Sequence, residues 1–286
     1  MLDLWTLQIL AAVGRLGSFS AAAGELSMTQ PAVSRQIATL ERRTGVRLFE
    51  RLPRGVRPTG AGRAAIEQAG RVLGEVALFE TRMRDHATGR AGRVRVSAFP
   101  SAATSYVPER FRAFAALHPD VELSLTVGGD PGAAVVAGEV DVALLTSWDT
   151  PPKGVEVLPL LEDELLVALA RDHPLAGGES VRLRELAAER WIDGTHPDCL
   201  GPVSRLAAAL GGPPGISHVC DDWNGRQGLV AAGVGVMLYP AMAGAVRSDI
   251  RLLRPSPRLS RSVYAVSLPS PGAAVRAFLS VLARPA

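Results

Sequence analysis

Leu4, Leu7, Leu10 and Val13 recur at helical spacing at the start of the chain, which predicts an amphipathic helix that needs neighbours. Gly17 allows a tight turn, and Ser18 is placed to cap a second, short helix from Phe19 to Leu26. A brief Ser27-Met28-Thr29 turn follows. The third helix starts around Pro31, a residue suited to a first helical turn, with Thr29 or Gln30 as cap. Val33, Ile37 and Leu40 form its buried stripe, so Gln30, Ser34, Arg35 and Ala38 point away from the core, and Gly45 ends it. The run from Arg47 to Pro58 reads as a β-ribbon wing with three arginines around its tip.

Thr59 then caps a long helix in which Ala65, Ala69, Val72, Val76, Phe79 and Met83 follow one another at alternating spacings of four and three. That is a heptad seam, thickened by Ile66 and Leu73, and it favours a helix–helix partner. Roughly 28 residues span about 40 Å, far more than a small N-terminal domain needs. Beyond Gly89-Arg90-Ala91-Gly92, short β-rich runs alternate with helical ones. Candidate strands are Val94–Phe99, Val121–Val127, Val140–Leu145, Leu165–Ala170, Ile216–Cys220, Val234–Leu238 and Val263–Leu268. Helical stretches include Glu109–Leu117, Pro131–Gly138, Leu183–Glu189, Val203–Leu210 and Gly225–Ala232. This alternation argues for open, largely parallel sheets with helices on their faces. Residues 228–246 are 19 uncharged residues in a row, but four glycines and Pro240 break them into helix- and strand-sized pieces. A buried α/β core is the expectation there, not a membrane span.

Composition sharpens this picture at one point. The chain has 286 residues, room for about two domains, and a net charge of only +3. The charge is unevenly placed: residues 1–62 carry 8 arginines against 4 acidic side chains, and Lys153 is the only lysine. A basic head on a neutral body suggests that the head meets an anion. Cys199 and Cys220 make no disulfide framework and suit a reducing cytosol. The N-terminus has no basic signal region, so a cytoplasmic protein is expected. A redox role for the two cysteines remains an alternative. The five histidines lack ligand-type spacing, and neither a GxxxxGK[ST] phosphate loop nor a G-x-S-x-G elbow occurs. The expectations are therefore no metal, no cofactor and no catalytic residues.

Two short helices joined by a three-residue turn match a helix-turn-helix. Gln30 and Arg35 can make bidentate contacts to base edges, Pro31 or Ala32 can touch a thymine methyl, and the wing arginines can grip the backbone. An assembly module of a ligand-binding or catalytic α/β protein is the alternative, but it would not need this arrangement. The run Leu4…Leu7…Val13…Gly17-Ser-Phe-Ser-Ala-Ala-Ala…Leu26…Thr29-Gln-Pro-Ala-Val-Ser-Arg-Gln-Ile…Leu40-Glu…Gly45-Val-Arg-Leu-Phe-Glu-Arg…Thr59…Gly62 closely resembles the LysR-type transcriptional regulators. The resemblance implies a winged helix-turn-helix that binds inverted repeats in double-stranded promoter DNA. It places Thr29, Gln30, Pro31, Ser34 and Arg35 at the groove, and Arg51 and Arg54 on the backbone.

The same resemblance implies three parts: a DNA-binding domain over 1–58, a dimerisation helix over 59–88 and an effector-binding domain over 93–286. The helix would pair antiparallel with that of a second copy, as a homodimer or a dimer of dimers. The effector domain would resemble periplasmic binding proteins, with lobe I over about 93–160 plus 266–286 and lobe II over about 161–265. RNA polymerase is the further partner expected at a promoter. A small-molecule effector would sit outside the carboxyl ends of the strands. Ser101, with Ala102 and Thr104, is the first expected contact; Gly128 and Thr146 follow the next two strands. From lobe II, the Trp191–His196 segment, with Thr195 and His196, would face the cleft. No arginine is placed in that pocket by the sequence, and the effector, the target genes and the sign of regulation are not legible in it.

Overall fold

The computed structural model describes residues 2–53, 55–88, 92–194 and 203–284. The N-terminal unit is built on α1 (Leu4–Leu16), α2 (Phe19–Glu25) and α3 (Gln30–Thr44), followed by the antiparallel strands β1 (Phe49–Arg51) and β2 (Val56–Pro58). Its caps follow from short polar side chains. Asp3 accepts from the Thr6 amide at 2.7 Å, and Ser18 accepts from that of Ala21 at 3.3 Å. Gly17 and Gly45 end α1 and α3 in the left-handed conformation. Leu7, Leu10 and Val13 are buried against Ala22, Val33, Ile37 and Leu40, whereas Leu4, expected in the same stripe, is 43% exposed.

The long helix α4 (Gly60–Thr88) begins by packing on this same unit. Ala69 is buried there, and Ala65, Ile66 and Leu73 are partly buried beside it. The early half of the expected dimer seam is therefore taken by the helix's own domain. Only the later half, with Val72, Phe79 and Met83 exposed and Val76 half-buried, is left on the surface. The heptad period alone does not separate these two partners, because both use the same helix face.

The C-terminal body has two lobes on one curled, eight-stranded sheet. In lobe I, β3 (Arg93–Ala98) pairs in parallel with β4 (Glu122–Val127) and β5 (Val142–Thr146). The helices α5 (Pro100–Thr104), α6 (Tyr106–Leu117), α7 (Pro131–Val136) and, near the C-terminus, Ala273–Leu282 cover it. Phe114 and Phe278 meet edge-on at 5.4 Å in its core. The expected strand Leu165–Ala170 is the end of a much longer one, β6 (Glu156–Ala170). The Glu162-Asp163-Glu164 triplet hides its first half, since three acidic residues in a row read as solvated loop.

Lobe II adds β7 (Ser180–Arg182), β8 (Arg190–Asp193), α8 (Val203–Leu210), β9 (Gly215–Val219), α9 (Trp223–Ala231), β10 (Met237–Pro240) and β11 (Ile250–Ser256). The chain then returns along β12 (Leu259–Ser267), which runs antiparallel to β6 over nearly its whole length. The expected largely parallel sheet is thus corrected: its centre is an antiparallel ribbon of β12, β6, β10 and β11. Alternation of strands and helices carries no information on strand direction, which is the reason for the difference. The helix expected over Leu183–Glu189 is a single 3-10 turn, Leu183–Leu186. The uncharged run at 228–246 is divided among the end of α9, β10 and a 3-10 turn at Ala241–Ala243. Among the described residues no helix is long and apolar enough to cross a membrane.

The join between β1–β2 and α4 leaves no room for a side chain at Gly62, where a Cβ would lie 1.9 Å from the Leu48 carbonyl oxygen. Gly24, exposed in α2, has nothing within 4 Å. Gly62→Ala is expected to cost roughly 1–3 kcal/mol by forcing a backbone shift. Gly24→Ala should instead gain about 0.5–1 kcal/mol by favouring the helix. Urea unfolding of both variants checks the opposite signs.

Candidate functional site

Two surfaces carry candidate chemistry, one in each unit. In the N-terminal unit, α2 and α3 are joined by a turn in which Ser27 has φ +53° and the Met28 amide donates to the Ala23 carbonyl at 2.8 Å. Thr29, Gln30, Pro31 and Arg35 are exposed at the start of α3, and Ser34 is half-buried. The Thr29 side chain makes no capping bond to its own helix; its carbonyl accepts the Ala32 and Val33 amides at 3.0 and 3.2 Å, and Pro31 has no amide to donate.

The wing is held beside this helix by groups to which the sequence assigns no such role. Glu41, on α3, accepts the amides of Leu48 and Phe49 at 2.7 and 3.1 Å. Thr59 donates to the Arg47 carbonyl at 2.7 Å and accepts the Gly62 amide at 2.9 Å, joining ribbon to long helix. The Val56 amide donates to the Gly17 carbonyl at 2.8 Å, across a gap that only a glycine at 55 permits, since a Cβ there would lie 2.5 Å from the same oxygen. Arg51 is exposed on the ribbon, and Arg57 pairs with Glu50 at 2.9 Å. Arg54 lies outside the described residues.

In the C-terminal body, β6 and β12 form the ribbon that crosses between the lobes. One face of it carries Leu161 opposite Val263, then Asp163 opposite Arg261, then Leu165 opposite Leu259. The first pair belongs to the lobe I core and the last to lobe II, so the charged pair marks the junction of the two. Both side chains are essentially fully buried. Arg261 Nε donates to Asp163 Oδ2 at 2.9 Å, and Nη2 donates to Ser101 Oγ at 2.8 Å. The guanidinium lies over Phe99 at 4.7 Å and Trp148 at 5.5 Å. Asp163 Oδ1 accepts the Met242 amide at 2.9 Å. One ion pair thus ties α5, both crossing strands and the 3-10 turn of lobe II.

The structure sorts the expected effector contacts. Ser101 is at this junction, bonded to Arg261. Ala102 is turned into the lobe I core, and Thr104 is exposed with its hydroxyl bonded back to Pro100. Gly128, at φ +95°, is exposed. Thr146 is fully buried, with its amide and hydroxyl donating to Asp149 at 2.8 and 2.9 Å, so its hydroxyl serves a local turn instead of a cleft. Trp191, at the start of the segment expected to face the cleft, is buried in the lobe II core within β8. Thr195, His196 and Cys199 lie outside the described residues; Cys220 is half-buried. Arg261 and Asp163 are not among the expected contacts; Arg261, a lone charge in the run Leu259-Ser260-Arg261-Ser262-Val263, is a readable signal, whereas Asp163 is flanked by Glu162 and Glu164.

A winged helix-turn-helix and a two-lobed body with a polar centre at its hinge define a ligand-responsive DNA-binding architecture. Comparison with known proteins agrees. Residues 4–63 match the family described as bacterial regulatory helix-turn-helix protein, lysR family, and residues 87–285 match the LysR substrate binding domain. The chain belongs to the LysR family of transcriptional regulators. It is 30% identical over 254 residues to the HTH-type transcriptional regulator TcbR of Pseudomonas sp. (strain P51), covering 87% of this chain and 86% of that one. It is 33% identical over 267 residues to the small neutral protease regulatory protein of Streptomyces coelicolor, with 88% and 82% covered. The solved structure of full-length CbnR complexed with its target DNA is similar at a TM-score of 0.59 and 24% identity, over 98% of this chain and 99% of that one.

Burial pushes the Asp163 carboxyl above its ordinary value of 3.8, while Arg261 and the Met242 amide pull it back. The native state therefore holds that proton more tightly than the unfolded chain. The stability this group contributes is complete below the ordinary value and is lost as pH rises through the native one. Arg261→Met is expected to cost about 3–5 kcal/mol by stranding a buried carboxylate. Its stability should also fall more steeply than the parent's as pH is raised above the ordinary carboxylate value. Adding Asp163→Asn should restore at least half of the loss and remove the extra pH dependence. Urea unfolding across pH checks this; a double variant no better than the single one would contradict the coupling.

Proposed function

We propose that this protein is a homo-oligomeric regulator that binds promoter DNA in the cytoplasm, works without catalysis or a resident cofactor, and responds to a small-molecule effector. Residues 1–58 serve as the reading head, 59–88 as the dimerisation helix and 93–286 as the sensor. The observation that carries this reading is the exposed first turn of α3, with Gln30 and Arg35 outward, beside a wing fastened by Glu41 and Thr59. Thr29, Gln30, Pro31, Ser34 and Arg35 contact the groove; Arg51 and Arg54 contact the backbone. The DNA held by CbnR in its solved complex supports this assignment.

Dimerisation uses the later part of the α4 seam: Val72, Phe79 and Met83, which are exposed, and the half-buried Val76. The effector acts at the lobe junction, where a ligand polar group near Ser101 competes for the Arg261 donor and so shifts the relative setting of the lobes. RNA polymerase is the partner through which a change at the promoter is read out.

Arg35 is exposed, so Arg35→Ala tests reading without disturbing the fold. It is expected to cost ~1–3 kcal/mol on the promoter DNA beside the protein's own gene and to relax base preference. Arg51→Ala should weaken all sequences alike and flatten the salt dependence. Fluorescence anisotropy over a salt series with competitor DNA measures both. Equal, non-specific binding by parent and Arg35→Ala would overturn the reading. Phe79→Glu, at a position 62% exposed, should shift the chain toward monomer in light scattering while leaving its helical content intact.

A further inference from the structure

The inner centre of the body is electrically closed: the charge of Arg261 is met by Asp163, and both are buried. Further along the same ribbon face the situation reverses. A cavity of about 410 Å³ lies on the lobe II side of the charged pair. Leu165, Leu238 and Leu259 supply its apolar lining from the strands, and α8 supplies Leu206. Trp148 lines the same cavity and also lies within reach of the Arg261 guanidinium, so one side chain separates the cavity from the junction.

Among the described residues the charged lining has one sign: Arg205 on α8 and Arg258 in the turn between β11 and β12 border the cavity, and no described carboxylate does. Both arginines are exposed, and neither forms an ion pair among the described residues. The Trp148 indole nitrogen is a buried donor without a partner among the described residues. An apolar pocket bordered by two guanidinium groups matches one chemistry: a flat or extended apolar body ending in an anion that accepts from arginine.

We propose that this cavity binds an organic anion with an apolar body, its charged end on Arg205 and Arg258 and its body on the leucines and Trp148. The proposal deepens the effector reading above and rests on it for its regulatory meaning. A ligand seated there touches α8, the turn before β12 and the crossing ribbon together. Its occupancy is therefore coupled to the setting of lobe II on that ribbon.

The probes are 2-naphthoate and its uncharged isostere 2-naphthamide, titrated calorimetrically into the full-length protein. Saturable binding of the carboxylate is expected, at least about tenfold tighter than the amide. Arg205→Gln and Arg258→Gln, both surface substitutions, should each weaken the carboxylate about tenfold and leave the amide unchanged. Ala209→Phe, which fills the cavity from α8, should abolish both. No saturable binding of 2-naphthoate, equal affinity for acid and amide, or binding indifferent to all three variants would each overturn the site. DNA affinity measured in parallel separates the two readings: binding without any change in DNA affinity supports the site and counts against its regulatory role.

Discussion

A guanidinium with no exposed surface has to find all its partners inside the protein, and those of Arg261 come from every part of the hinge. Asp163 lies on the neighbouring strand, Ser101 on the first helix of lobe I, and Phe99 and Trp148 beneath it. Asp163 in turn holds the Met242 amide of lobe II. Replacing such a pair with apolar residues is often neutral for stability, so its value lies in what it specifies. Here it specifies a geometry, because the bonds are satisfied only when both lobes meet the ribbon in one register.

That placement also fits the proposed response of the junction to a ligand. On either side of the charged pair the ribbon is covered by apolar cores with little tolerance for displacement. Between them lies the buried ion pair, with Met242 of lobe II packed beside it against the lobe I core. On the proposed reading, a ligand that offered Ser101 or Arg261 a different partner would change the balance of hydrogen bonds at this junction. The arginines of the neighbouring cavity add charge where the inner pair has none.

The N-terminal unit applies the same principle on a smaller scale. Its core of alanines, valines and leucines sets the helices, but the wing is a two-strand ribbon with almost no core of its own. Glu41, Thr59 and the Gly17 carbonyl supply the missing constraint through hydrogen bonds at both ends of the ribbon. Of the residues that would read DNA, Thr29, Gln30, Pro31, Arg35 and Arg51 are exposed; Glu41 and Thr59, which aim them, are half-buried.

Local signals are strong in the first 88 residues. Helix periodicity, caps at Ser18 and Thr59, glycines at 17 and 45 and the outward position of Gln30 and Arg35 are all legible along the chain itself. Each is a contact within a few residues or a periodicity of one element, and sequence carries that kind of information directly. The dense motif of residues 4–62 also makes the family legible. The tertiary structure alone decided how α4 divides between its own domain and a free surface, because Ala65 and Phe79 share one seam and differ only in what lies opposite. It alone put Glu162-Asp163-Glu164, which lie outside every expected strand, in the middle of a crossing strand and set Thr146 into a local turn. It alone brought Asp163 to Arg261 across 98 residues of chain and Ser101 to Arg261 across 160. Pairings at that distance depend on strand direction and register, and these are set by how the lobes close on each other, not by any pattern along the chain.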